Sequence, residues 1–139
     1  PNIVGVKEAS GDLKQITAIC ARKPPSFIVW SGDDGLTLPI MSVGGEGVIS
    51  VASHVAGRQM REMIDAFKAG DVKRAAEIHC RLSPLFEALF LPSGNPACVK
   101  KALEICGFPV GGLRLPLVEA SEADALKIRR VCEELGLAT

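Results

Sequence analysis

Three short runs rich in β-branched residues, separated by polar turns and segments of helical period, constrain the fold of this chain more than any other feature. The runs are Ile3-Val4-Gly5-Val6-Lys7, Phe27-Ile28-Val29-Trp30 and Gly47-Val48-Ile49-Ser50-Val51. Short apolar runs bounded by turn residues predict buried strands of a parallel sheet. Between the first two, Leu13, Ile16, Thr17 and Cys20 recur at helical spacing, with Ser10 or Asp12 available as N-cap and Pro24-Pro25 as a stop. Between the second and third, Leu36 to Val43 predicts a short or kinked helix, because Pro39 lies inside it, and Gly44-Gly45 closes it. This βαβαβ order predicts a right-handed parallel sheet or a section of a barrel.

Beyond Ser53 only helical periods remain. Met60, Met63, Ile64 and Phe67 mark one amphipathic helix, which Gly70-Asp71 ends while capping the next. Ala75, Ile78, Leu82, Leu85, Phe86 and Leu89 mark that next helix, which Pro84 is expected to bend or split. A third helix runs from about Ala97 to Cys106, and a last one from Ser121, where Ser121 and Asp124 have capping-box spacing, to Gly136. The expected division is an α/β section over residues 1–70 and a helical section over residues 71–139.

Sixteen basic and sixteen acidic residues give a formal net charge of +0, which argues against a steering field for nucleic acid or an anionic membrane. No apolar run approaches the roughly 18 residues of a membrane span. The five cysteines contain no C-x-x-C pair, and four fall on apolar helix faces, so reduced thiols in a cytoplasmic protein are expected and not a disulfide framework. At 139 residues the chain is short for a barrel, and it enters a strand directly from Pro1 without an initiator methionine, as if starting in mid-fold.

Lys7 is the leading candidate for chemistry. An apolar wall around the end of a buried strand disfavours a charged ammonium, and a neutral amine attacks a carbonyl to form an imine. The competing reading is a lysine that ends a strand, reaches solvent and pairs with Glu8. Its company favours the first: Lys7 to Asp12, Ser31 to Gly35 and Ser50 to Ser53 all fall at the carboxyl ends of the strands, where parallel sheets and barrels bind ligands. Asp33-Asp34 reads as N-capping before it reads as a catalytic carboxylate pair. His54 and His79 lie on separate elements with no partner ligands, so no metal site is expected. Gly44-Gly45-Glu46-Gly47 precedes a strand, which is the wrong context for a phosphate-binding loop.

Taken together, Ile3-x-Gly5-Val6-Lys7-Glu8-Ala9-Ser10-Gly11-Asp12, Ser31-Gly32-Asp33-Asp34 and Gly44-Gly45-x-Gly47-Val48-Ile49-Ser50-Val51 resemble the second half of dihydrodipicolinate synthase. Asn95-Pro96 and Leu113-Arg114-Leu115-Pro116 extend the resemblance over essentially the whole chain. It implies the last three β/α units of a (β/α)8 barrel plus a helical tail, open to rearrangement in isolation. It further implies that Lys7 condenses with pyruvate, that Gly32 and Ile49 line the bound three-carbon unit with Asp33 beside it, and that no cofactor is needed beyond the covalent imine. The second substrate would be aspartate semialdehyde, in lysine and diaminopimelate biosynthesis.

The family's tyrosine and threonine hydroxyl relay and its substrate-binding arginine come from its earlier half. This chain has no tyrosine. Alone, it is expected to have negligible synthase activity and at most a feeble imine with pyruvate. N-acetylneuraminate lyase and keto-deoxy sugar acid aldolases share the Schiff-base lysine and stand as alternatives. A non-catalytic folding or interaction module is another, since three strands cannot close a barrel and leave edges that invite a homo-oligomer or a domain-swapped dimer.

Overall fold

The computed structural model describes residues 2–139, and Pro1 lies outside them. The chain forms β1 (Gly5–Glu8), α1 (Leu13–Arg22), β2 (Ile28–Ser31), a 3-10 turn (Asp34–Leu36), α2 (Thr37–Ser42) and β3 (Gly47–Val48). Four helices follow: α3 (Ser53–Lys68), α4 (Val72–Ala88), α5 (Ala97–Ile105) and α6 (Glu122–Glu134). The strands pair in parallel in the order β1-β2-β3, with Lys7 opposite Trp30, and Ser31 opposite Val48. The α/β section therefore has the expected parallel order.

Two strand boundaries differ from the sequence reading. Ile3 and Val4 lie before β1 and are 76% and 61% exposed, so this end of the first run is not buried. The third run is a strand only at Gly47–Val48, although the Ile49 amide still donates to Ser31 O at 2.9 Å. Both runs lack a second neighbouring strand, and apolar character alone cannot supply the missing ladder.

The sheet packs one face on helices. Val29 is fully buried with Ile16 of α1 and Ile40 of α2, and Val6, Ile19 and Val43 pack against them. Gly45 is required here, because a Cβ on it would lie 2.5 Å from Ile40 Cγ2. A larger core joins α3 to the three helices after it, through Met60, Met63, Leu82, Leu85, Phe86, Cys98 and Ile128.

Helix ends follow the capping residues. Asp12 caps α1 by accepting from the amides of Lys14 (2.8 Å) and Gln15 (3.3 Å), while the Ser10 hydroxyl instead donates to Glu8 Oε2 (2.9 Å). Gly70 adopts φ +86°, and Asp71 then caps α4 by accepting from the Arg74 amide at 3.0 Å. Pro84 does not split α4, which runs unbroken through it. Pro84 and Cys80, whose carbonyl loses its helical donor there, both lie on the solvent side, where water can satisfy that carbonyl. The break falls elsewhere: α3 kinks at Ala56 (φ −124°, ψ 32°).

The start of α6 differs from a reciprocal capping box. Ser121 Oγ accepts from the Asp124 amide at 3.2 Å, but the Asp124 carboxylate accepts from the Ser93 amide (2.9 Å) and hydroxyl (2.6 Å). It thereby ties α6 to the α4–α5 loop. The Ser93 hydrogen bonds, the side-chain one foremost, hold the Asp124 carboxyl below its ordinary value of 3.8. A depressed carboxyl contributes stability above the unfolded-state value and loses it as pH falls through the lowered folded value. The melting temperature is therefore expected to drop as pH falls below about 4, and Asp124→Asn to flatten that acid limb; an unchanged limb by circular dichroism would contradict the tie.

Candidate active site

The pleat sorts the sheet residues onto two faces. Val6, Glu8, Val29 and Ser31 turn toward the helices, and Val29, Ser31 and Glu8 are buried there. Glu8 accepts from the Ser10 amide (3.2 Å) and hydroxyl (2.9 Å) and from Gln15 Nε2 (3.3 Å). Gly5, Lys7, Trp30 and Gly32 lie on the opposite face. A Lys7–Glu8 pair is thus excluded by the pleat, and among the described residues Lys7 takes part in no ion pair.

Two glycines on the open face accommodate its two large side chains. A Cβ on Gly5 would lie 2.5 Å from Trp30 Cζ3, so the indole leans over Gly5 toward the amino end of the strands. A Cβ on Gly32 would lie 3.1 Å from Lys7 Cε and 2.5 Å from the Ala9 Cβ, so the lysine stem leans the other way, over Gly32, toward the loops. The amine is directed to the carboxyl ends of the strands, the ligand-binding side of such sheets.

One expectation about Lys7 is corrected here. The residue is third of four in β1 rather than last, and it is exposed. Three strands leave the inner face open, so this stretch of chain does not itself provide an apolar wall around the amine.

Gly32 follows β2 directly, and its amide donates to Glu8 O at 2.6 Å. Asp33 is exposed and caps the 3-10 turn, with Oδ1 accepting from the Gly35 amide at 2.8 Å. The Ser31 hydroxyl braces this loop by accepting from the Asp33 amide at 3.1 Å and donating to Asp33 O at 2.5 Å. Ile49, two residues past Gly47, falls on the Lys7 face and is 47% exposed. Lys7, Gly32 and Ile49 therefore share one face of the sheet, with Asp33 at its rim.

Asp34 behaves differently from its neighbour and escaped the sequence reading. It is 2% exposed, and its Oδ2 accepts from the amides of Val51 (3.0 Å) and Ala52 (2.9 Å), far along the chain. The Asp33-Asp34 pair thus divides into a local cap and a long-range tie. Only the first role follows from adjacency to a helix start.

Around the rim, Asp33 and Gly35 face His79, Ser83, Phe86 and Glu87 of α4, and Phe90 just past its end, across a cavity of about 320 Å³. Burial lowers the His79 imidazole from its ordinary value, and its ring stacks at a tilt on Phe86 with centroids 5.6 Å apart. A further concavity of about 560 Å³ lies against α1 between Gln15 and Phe27 and includes none of these residues. Among the described residues no cluster of three His, Cys, Asp or Glu side chains is placed to hold a metal.

Residues 1–135 match the model of the Dihydrodipicolinate synthetase family. The chain belongs to that family. It is 56% identical over 136 residues to the 4-hydroxy-tetrahydrodipicolinate synthase of Moorella thermoacetica, covering 98% of this chain and 46% of the relative. The Archaeoglobus fulgidus enzyme of the same name is 53% identical over 98% of this chain and 47% of its own. Among solved structures, dihydrodipicolinate synthase from Cyanidioschyzon merolae with lysine bound superposes with a TM-score of 0.94 at 46% identity, over 99% of this chain and 46% of that one. The Aquifex aeolicus synthase gives 0.93 at 44% identity, over 99% and 46%. The chain spans about half the length of the family members it matches, and its three-stranded parallel sheet corresponds to part of the family's barrel.

Proposed function

We propose that this chain supplies the nucleophilic side of a Schiff-base aldolase site, in which Lys7 condenses with pyruvate for addition to aspartate semialdehyde. The observation that carries the reading is the lysine stem laid over Gly32 on the open face of the sheet, with Ile49 on the same face. The Lys7 amine attacks the keto carbon of pyruvate and water leaves, giving a protonated imine. Loss of a methyl proton turns the imine into an enamine, whose carbon attacks the aldehyde, and cyclisation and release of the product return the free amine. No cofactor is required, because the iminium is the electron sink.

Each of those proton transfers needs a positioned acid or base. Gly32 and Ile49 offer none, Asp33 is engaged in capping, and the chain has no tyrosine. Turnover therefore requires groups from outside this stretch, on strands that close the lumen over Lys7. The exposed inner face and the sheet edges fit such a partner, or a second copy in a homo-oligomer. The free, buried thiols of Cys98, Cys106 and Cys132 fit a reducing compartment such as the cytoplasm.

The test joins this chain to the first half of the Moorella thermoacetica relative and assays both forms. The chain alone is expected to show negligible condensation of pyruvate with aspartate semialdehyde, and the completed barrel to catalyse it. A completed barrel that cleaves N-acetylneuraminate or keto-deoxy sugar acids instead would overturn the choice of substrate.

A further inference from the structure

We propose that Asp34 is a positioning residue of the Lys7 site, its buried carboxylate latching the loop after β3, which carries Ile49, to the loop after β2, which carries Gly32. The proposal rests on the functional reading above. It begins from an oddity in packing: Ile49 is 47% exposed, so apolar burial does not fix its place. Its backbone is held on both sides instead. The Ile49 amide donates to Ser31 O at 2.9 Å, and two residues on, the Val51 and Ala52 amides donate to Asp34 Oδ2 at 3.0 and 2.9 Å.

The latch has few substitutes. Ala52 stands at the N-cap position of α3 but has no side chain to cap with, and Ser50 Oγ serves the Ser53 amide at 2.8 Å. The Val51 and Ala52 amides would otherwise be left to a largely apolar surrounding, since Ala52 is fully buried. An orphaned buried donor retains its full desolvation cost, so without Asp34 the loop is expected to move until water reaches those amides. Asp34 is itself anchored, because its carbonyl accepts from the Thr37 hydroxyl at 2.8 Å and Thr37 is buried in α2. One face of the keto acid pocket is thus fastened to the other through a single oxygen. The remaining oxygen, Oδ1, is buried with no protein partner among the described residues, so the latch runs through Oδ2 alone.

The variants Asp34→Ala and Asp34→Asn separate latch from bulk stability. In this chain, amide hydrogen exchange at Ile49, Val51 and Ala52 is expected to accelerate in Asp34→Ala relative to the α4 core amides. In Asp34→Asn, whose amide oxygen still accepts but whose NH2 replaces the buried, partnerless Oδ1, the acceleration is expected to be smaller than in Asp34→Ala. In the barrel completed with the Moorella thermoacetica half, Asp34→Ala is expected to raise the pyruvate KM about tenfold or more with a smaller change in kcat, within the ~10²-fold that a misplacement of about 1 Å can cost. Asp34→Asn, which keeps the accepting oxygen, is expected to recover part of that loss. Unchanged exchange at the three amides in Asp34→Ala overturns the latch whatever the kinetics give. Faster exchange with an unchanged KM shows a latch without a positioning role and overturns the proposal. A wild-type completed barrel that forms no pyruvate adduct overturns the functional reading, and the exchange data still decide the latch on their own.

Discussion

Replacing Lys7 with arginine is expected to abolish the borohydride-trapped pyruvate adduct and to lower condensation in the completed barrel by about 10³-fold or more, the scale on which removal of a covalent nucleophile acts. Arginine preserves the positive charge and most of the stem, so the open face of the sheet changes little. Its guanidinium stays protonated and does not attack carbonyls. Because Lys7 is exposed and unpaired with Glu8, the substitution removes no ion pair, and folding should be nearly indifferent to it. Loss of chemistry with an unchanged melting temperature is the expected signature. A Lys7→Arg protein that still condenses pyruvate at the wild-type rate would show that another group carries the imine.

Gly32→Val is expected to have the second largest effect, and it acts on both stability and chemistry. A Cβ at this position would lie 2.5 Å from Ala9 Cβ, 3.1 Å from Glu8 O and 3.1 Å from Lys7 Cε. The lysine stem can swing away, but the Glu8 carbonyl belongs to β1 and is already bonded to the Gly32 amide at 2.6 Å. Relief must come by separating the two strands or tilting the loop. Overpacking of this kind costs about 1–3 kcal/mol, so the melting temperature falls. The stem is also pushed from its rest over Gly32, and the rate of adduct formation is expected to fall further than stability alone accounts for. Equal stability and equal adduct rate in Gly32→Val would mean that the glycine is not there for the lysine.

The β/α order, the helix ends and the motif set were legible in the sequence because each rests on local chemistry. Asp12, Asp71 and Ser121 cap their helices through amides two or three residues on, and Gly70 takes the positive φ that ends α3. Such contacts lie within one turn of chain. The misreadings are those that depend on something more distant. The sequence predicts an apolar wall around Lys7, but the residue is exposed, because such a wall needs neighbouring strands that this stretch does not contain. The run from Gly47 to Val51 is apolar enough for a strand, yet a ladder needs a neighbour along its length and β3 keeps only two residues of it. Pro84 carries the local signature of a break, and the orientation of α4 removes the penalty by turning Pro84 and Cys80 to water.

The candidate site was legible in the same measure. Gly32 and Ile49 lie with Lys7 at one end and on one face of the sheet, with Asp33 at the rim, because parallel strands bring their carboxyl ends together whatever their sequence. Asp34 was not legible as a latch. Nothing in Ser31-Gly32-Asp33-Asp34 distinguishes the carboxylate that caps its own turn from the one that reaches Val51 and Ala52. Trp30 reads from the sequence only as a strand residue, and the lean of its ring over Gly5 appears only once β1 and β2 are in register.

The most direct test of the account is the mass of the peptide that carries Lys7 after the completed barrel is incubated with pyruvate and borohydride. The account predicts a single reduced pyruvyl adduct on Lys7, formed far more slowly by the chain alone. An adduct on any other lysine, or none on Lys7 while condensation proceeds, would contradict it.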